Sequence, residues 1–205
     1  MEILKAYKYK LKTNKKNKDL LNVQANNARF LWNYFLAMNK RRSEQNRYIL
    51  YHRKKRYDLK KRFDPGLLFE LEMRHHVKEF LNQSDEYSFL RDSHSQVVQA
   101  KLADLNKAML DCFKGLRGFP KFKKKGQAVG FRYPQGVTFQ NGGVYLPKIT
   151  GRKKTTGFHN SFKNVKFEGR KCKIKEDGVW VEAAVKNVTI TKDGEDFFMS
   201  VQIAY

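Results

Sequence analysis

Residues 3–11, ILKAYKYKL, alternate apolar and basic side chains with a period of two, the pattern of a strand with one face buried. Thr13 and Asn14 follow as candidate helix caps. From about Lys16 to Lys40 the period becomes helical. Leu20, Leu21, Val23, Ala28, Leu31, Trp32, Phe35 and Leu36 fall mostly on one face, and NKRRSEQN marks the approximate end. Two further helices are predicted: SEQNRYILYHRKKRYDLKKRF, broken by Asp64-Pro65-Gly66, and GLLFELEMRHHVKEFLNQ, closed by a polar turn near Asn82–Asp85. SHSQVVQAKLADLNKAMLDCFKGL predicts another, with Val97, Val98, Leu102, Leu105, Met109 and Phe113 as its apolar positions and Gly115 and Gly118 ending it. Beyond Gly118 the helical period disappears. Short β-rich runs (AVGFRY, VTF, VYLP, KNVKFEG, KCKIKEDG, VWVEAAV, NVTITKDG, DFFMSVQIAY) alternate with turns, and Asn141-Gly142, Asp177-Gly178 and Asp193-Gly194 are hairpin signals. The pattern predicts an α+β chain, with a β-barrel or curved sheet from the second half, a first strand added from the N-terminus and a helical insert between them.

Composition identifies the kind of partner. The formal net charge is +23 over 205 residues, divided almost evenly between the residues before and after Lys114, while 40% apolar content is enough for a real core. Basic charge spread through a folded chain suggests a large polyanion lying across both halves, nucleic acid first and membrane surface second. No apolar run is long enough to span a bilayer, no lipidation motif is present, and the N-terminal residues have no signal-peptide pattern, so a cytoplasmic, nucleoid-associated location is expected. Cys112 and Cys172 have neither disulfide-framework nor zinc spacing.

Several stretches carry candidate chemistry. In GFPKFKKKGQAVGFRYPQGV, Lys121, Lys123, Lys124, Lys125 and Arg132 alternate with Phe119, Phe122, Phe131 and Tyr133. The cations suit phosphates, and the three phenylalanines are expected to anchor the loop in the core. Gln96 and Gln99, at the start of a helix, have the spacing to project together toward base edges. His52–Phe63 forms a basic helix face, readable as a backbone contact or as a solvated surface. His75-His76 has no companion ligands, so no metal or other cofactor is expected. GxSxG, P-loop and HExxH motifs are absent, and no strand ends in a carboxylate that would begin a two-metal site. The expectation is a binder and not an enzyme on its own.

The order of KAYKYKLKTNKKNKDLL, ARFLWNYFLAMNK, SQVVQAKLADLNKAMLDCFKGLRGFPKFKKKG, FRYPQGVTFQNGGVYLPK and KNVTITKDGEDFFMSVQIAY resembles the N-terminal half of the OrfB/TnpB proteins of bacterial insertion sequences, relatives of compact type V CRISPR effectors. The resemblance implies a wedge-domain β-barrel with an inserted helical recognition lobe. It divides the chain into a first wedge strand (1–14), a helix-turn-helix-like lobe (15–116) and the wedge barrel (117–205). It further implies guide RNA and double-stranded target DNA as partners, with Ser95, Gln96, Gln99, Tyr133 and Gln135 toward a transposon-adjacent DNA motif. RNA or phosphate contacts fall to Lys8, Lys10, Lys121, Lys123, Lys124, Lys125 and Arg132. Family members continue into a RuvC-like nuclease with metal-binding carboxylates, which this chain does not reach, so a separate RuvC-like nuclease chain is a further candidate partner. Residues 149–178 depart from the family pattern. Two other readings remain open: an RNA-independent helix-turn-helix DNA-binding protein, and a docking subunit of a split nuclease with an exposed edge along FFMSVQIAY.

Overall fold

The computed structural model describes residues 2–56, 68–127, 130–151, 154–159 and 164–205, with the side chains of residues 46–56 not described. The basic stretch predicted to end the second helix, 57–63, lies outside the described residues, as does the Asp64-Pro65-Gly66 break.

Strand β1 (Leu4–Lys12) buries Tyr9 and Leu11 and turns its lysines outward, as its alternation predicts. Asn14 caps the next element: its Oδ1 accepts from the Asn17 N–H at 2.8 Å and its carbonyl from the Lys18 N–H. Helix α1 then runs unbroken from Lys15 to Arg56. The expected boundary near residue 43 is absent, because a polar run of Lys, Arg, Glu and Gln is made of good helix formers and contains neither Gly nor Pro. Helix α2 (Glu70–His76) continues into a π-helical turn, Val77–Leu81, and a 3₁₀ segment, Asp85–Asp92, leads into α3 (Ser95–Phe113). A Schellman motif ends α3. Gly115 takes φ 73°, its N–H donates to the Cys112 carbonyl, and the Leu116 N–H reaches the Asp111 carbonyl. Phe113, expected in the apolar stripe, is 46% exposed because this last turn extends past the cluster that α3 packs into.

The remaining strands are β2 (Gly130–Tyr133), β3 (Thr138–Gln140), β4 (Gly143–Tyr145), β5 (Thr156–Phe158), β6 (Val165–Glu168), β7 (Lys171–Glu176), β8 (Val179–Asp193) and β9 (Asp196–Ala204). They form one antiparallel sheet in the order β3-β4-β5-β1-β9-β8-β7-β6, with β2 added on β8. A reciprocal pair of hydrogen bonds between Phe139 and Gly169, 2.7 and 2.8 Å, links β3 to the β6–β7 turn and nearly closes a barrel. Two-residue turns at Asn141-Gly142 and Asp177-Gly178 have positive φ at both positions, as type I′ hairpins require, while in the β8–β9 turn Gly194 leads with φ 57°. VWVEAAV and NVTITKDG, read as separate runs, are one fifteen-residue strand. A register shift between Val185 and Asn187 lets its free edge pass from β7 to β2. The expected exposed edge along FFMSVQIAY is corrected: β9 pairs with β1 on one side and β8 on the other, and Phe197, Met199, Val201 and Ile203 are buried.

Two apolar clusters form the core. One fills the barrel and takes in Leu21, Ala25 and Ala28 of α1 with Val97 of α3. The other packs Leu31, Phe35 and Leu36 of α1 against α2, the 3₁₀ segment and α3. Helix α1 therefore belongs to both. Its buried amides hold the irregular chain around it. Gln24 donates to the Asp92 carbonyl and accepts from the His94 N–H. Asn27 donates to the Phe89 carbonyl and to Ser93 Oγ, and Asn39 grips both backbone groups of Leu68. Replacing buried Asn27 by Ala strands two acceptors and should cost about 1–3 kcal/mol. Exposed Asn26→Ala should stay within about 0.5 kcal/mol. Urea denaturation of the two variants measures the difference.

Candidate nucleic-acid interface

Between the end of α3 and β2, residues 116–127 have no regular secondary structure, yet their backbone is fixed. The Trp32 indole N–H donates to the Lys121 carbonyl at 2.9 Å. Asn33 meets both backbone groups of Lys123, donating from Nδ2 to its carbonyl at 2.9 Å and accepting its N–H on Oδ1 at 2.8 Å. The Lys124 N–H donates to Gln127 Oε1. One turn of α1 thus serves as a short strand partner for the loop, satisfying main-chain groups that would otherwise rely on water. The side chains of Lys121, Lys123, Lys124 and Lys125 are all exposed, that of Lys123 lying over the Trp32 ring. Phe119 and Phe122 are also exposed, at 40% and 47%, which corrects the expectation that they anchor the loop. Phe131, in β2, is the ring of the three that is buried. The anchor is the Trp32–Asn33 pair instead, leaving two rings among four cations free for an outside partner.

The loop overhangs a cleft of about 510 Å³ between α1, α3 and β2. Arg29, Lys107, Arg117 and Lys123 line it, and Lys123 Nζ lies 5.2 Å from the Trp32 ring centroid. Its two carboxylates are engaged. Asp104 accepts from Arg132 at 2.9–3.0 Å, and Asp111 lies 3.9 Å from Arg117. Lys101 is nearly enclosed, donates to the Gly130 carbonyl at 2.7 Å and stands 3.8 Å from Asp104. Burial holds its pKa below the ordinary lysine value; Asp104 opposes that shift, and Lys123 and Arg132 add to it. On the other side of Arg29 a second cleft, about 530 Å³, is lined by Asn22, Asn26, Lys125, Gln127, Lys192 and Glu195, the last paired with Lys18 at 2.8 Å. Chemically, this is a phosphate-attracting groove with amide groups on one wall.

The structure brings Lys123, Lys125 and Arg132 to these clefts and sets Lys121 and Lys124 on the loop above them, although the Arg132 guanidinium is tied to Asp104. Lys8 and Lys10 stand elsewhere, on the outer barrel face. Lys8 lies over the Phe198 ring at 4.5 Å, and Lys10 pairs with Asp196 at 2.6 Å. Ser95 and Gln99 are exposed on the first turns of α3, about 9 Å and about 3 Å respectively from Lys101 along the axis by helical rise. Gln96 turns inward and its Oε1 is buried without a hydrogen-bond partner. Gln135 is exposed in the β2–β3 turn. Tyr133 is fully buried, its hydroxyl donating to the Pro147 carbonyl, so its expected place at a DNA-facing surface is corrected to a place in the barrel core. His76 packs on Phe80 and lies within hydrogen-bond distance of the Tyr34 hydroxyl, and no cluster of three or more metal-ligating side chains occurs among the described residues. No helix among them is long and apolar enough to cross a membrane.

The OrfB_IS605 helix-turn-helix domain family matches residues 1–47. The chain is also 29% identical over 98% of its length to "Putative RNA-guided DNA endonuclease InsQ" of Escherichia coli (strain K12). The chain is thus similar to the OrfB_IS605 helix-turn-helix family over its first 47 residues and to this one relative along nearly its whole length. It spans 41% of the length of InsQ. Across residues 1–47 the chain has β1 and a single stretch of α1.

Removing the Asn33 clamp isolates its contribution. Asn33→Ala should raise hydrogen exchange at the Lys123 amide about fivefold or more, for a lost bond of about 1 kcal/mol, without altering the barrel amides; exchange mass spectrometry reads both. Burial lowers the pKa of His94, with Lys148 adding to it, and burial and then Arg42 lower that of His76. Below pH 6.5 the unfolded chain takes up protons that the folded chain does not. Stability is therefore complete above 6.5 and falls as pH drops through the depressed values. Denaturation midpoints measured from pH 7.5 to about 5 should decline, and His76→Gln should flatten part of the decline.

Proposed function

We propose that this chain is the nucleic-acid-holding part of an OrfB/TnpB-type system: the barrel as its wedge domain, the helices between β1 and β2 as its recognition lobe, and guide RNA and transposon-adjacent duplex DNA as its ligands. Target choice rests with RNA pairing, the protein contributing charge, shape and a few base contacts. The observation that carries the reading is the clipped loop, in which a fixed backbone presents Lys121–Lys125 and two exposed rings beside a cation-lined cleft. Ser95, Gln99 and Gln135 are assigned to the DNA side, and Lys8 and Lys10 to RNA on the outer barrel face. The reading gives the chain binding and not cleavage, with cutting left to a RuvC-like nuclease.

A second reading, RNA-independent duplex binding, draws on the exposed Ser95 and Gln99 at the start of α3. Purification from cells carrying the genomic neighbourhood, followed by sequencing of bound RNA, separates the two. A discrete structured RNA with a variable end supports the first. Duplex binding that needs no RNA supports the second.

The loop itself is testable by salt dependence. Replacing Lys121, Lys123, Lys124 and Lys125 together by Gln should weaken binding across sequences. It should also reduce the slope of log affinity against log salt by about 3, if each lysine meets a phosphate. Filter binding between 50 and 300 mM salt measures the slope, and an unchanged slope would remove the loop from the interface.

A further inference from the structure

A cleft of about 800 Å³ is on a different part of the molecule, where β6, β7 and β8 approach the β3–β4 hairpin. Strand pairing sets the faces. Lys166 is opposite Lys173, and Lys173 is opposite Glu182, so these three share a row. Trp180, opposite Lys175, stands on the same face one row along. Glu168 and Lys171 form the row on the other side. The face thus carries Lys166, Lys171, Lys173 and Lys175, all exposed, around one tryptophan that is 37% exposed. Lys166 Nζ is 4.6 Å from the Trp180 ring centroid. Lys171 and Lys173 make no ion pair among the described residues, although Glu168 and Glu182 line the same cleft.

Trp180 offers an aromatic face partly open to solvent, on which Lys166 now rests, and Lys171 and Lys173 beside it supply phosphate partners at the spacing of a sheet. The two carboxylates make the cleft unsuitable for a cluster of phosphates and suitable for a base edge with one phosphodiester beside it. We propose that this face is a second nucleic-acid site, in which Trp180 stacks an unpaired base of a single strand and Lys166, Lys171 and Lys173 hold the adjoining phosphates. The proposal rests on the reading of the chain as a nucleic-acid binder and adds a single-strand site remote from the clipped loop. It gives a role to part of the 149–178 segment, which the family resemblance left without one. Guide RNA and a displaced DNA strand offer the same chemistry.

The chain has two tryptophans, Trp32 and Trp180, so emission can be assigned by difference. Single-stranded RNA and DNA octamers, and an abasic phosphodiester strand of equal length, are titrated into wild type, Trp180→Phe, Trp180→Ala and the loop variant with Lys121, Lys123, Lys124 and Lys125 replaced by Gln. Base-bearing strands should quench an emission component that is missing from Trp180→Phe, while the abasic strand should not. Trp180→Ala should weaken octamer binding about five- to a hundred-fold, with Trp180→Phe in between. The loop variant should still show the quench at saturation. Quenching by RNA alone identifies the guide strand as the source, by DNA the displaced strand, and either supports the site. Octamers that bind at saturation without changing Trp180 emission, or that bind Trp180→Ala as tightly as wild type, would overturn the proposal and leave the loop interface intact. Absence of octamer and duplex binding altogether would instead overturn the functional reading beneath it.

Discussion

Helix α1 hydrogen-bonds through its side chains to most of the irregular chain around it. Gln24 and Asn27 hold the turn before α3, Asn39 holds the segment entering α2, and Trp32 with Asn33 holds the basic loop. In each case a helix side chain supplies the partner that a strand or turn would otherwise give to a backbone group. The amides are neutral, so burial carries a smaller desolvation cost than it would for the lysines and arginines abundant elsewhere in the chain. Because α1 also contributes to both apolar clusters, these contacts share one rigid frame. The barrel and the helical layers are coupled through this element, and loosening it would disturb both.

The same arrangement accounts for how a chain of charge +23 keeps its cations available. On the loop the main chain takes the internal hydrogen bonds and the lysines are left to solvent. In the cleft below, both carboxylates are matched to arginines or to Lys101, so the remaining field is positive. Little conformational freedom in the backbone remains to be lost when a polyanion arrives, which favours binding through a reduced ordering cost.

Much of this was legible in the residues. The alternation of β1, the Asn-Gly and Asp-Gly hairpins and the apolar stripe of α3 each state a local geometry that the tertiary structure keeps. The misreadings have specific causes. A polar run at residues 40–46 resembles a loop but contains neither Gly nor Pro. Phe119 and Phe122 resemble core residues because sequence records ring chemistry and not which side of a pinned loop faces water. Strand β5 is three residues long and becomes a strand only because β1 and β4 flank it. The Trp32–Asn33 clamp offered one weak sign, an amide beside a tryptophan in an otherwise apolar helical turn, and its partner lies 90 residues away.

The position of β1 sets an order of events during synthesis. It precedes every other described element in the chain, yet its neighbours in the sheet are β5 and β9, and its register pairs Leu4 with Ala204. At about 5–20 residues per second, roughly ten to forty seconds pass between the emergence of β1 and that of its final neighbour. For most of that interval, until β5 is made, a strand with Tyr9 and Leu11 on one side and lysines on the other has no neighbouring strand to join. The lysines give the nascent segment like-charge repulsion against its copies on neighbouring ribosomes, so the residues that face solvent in the finished barrel also protect the strand while it waits.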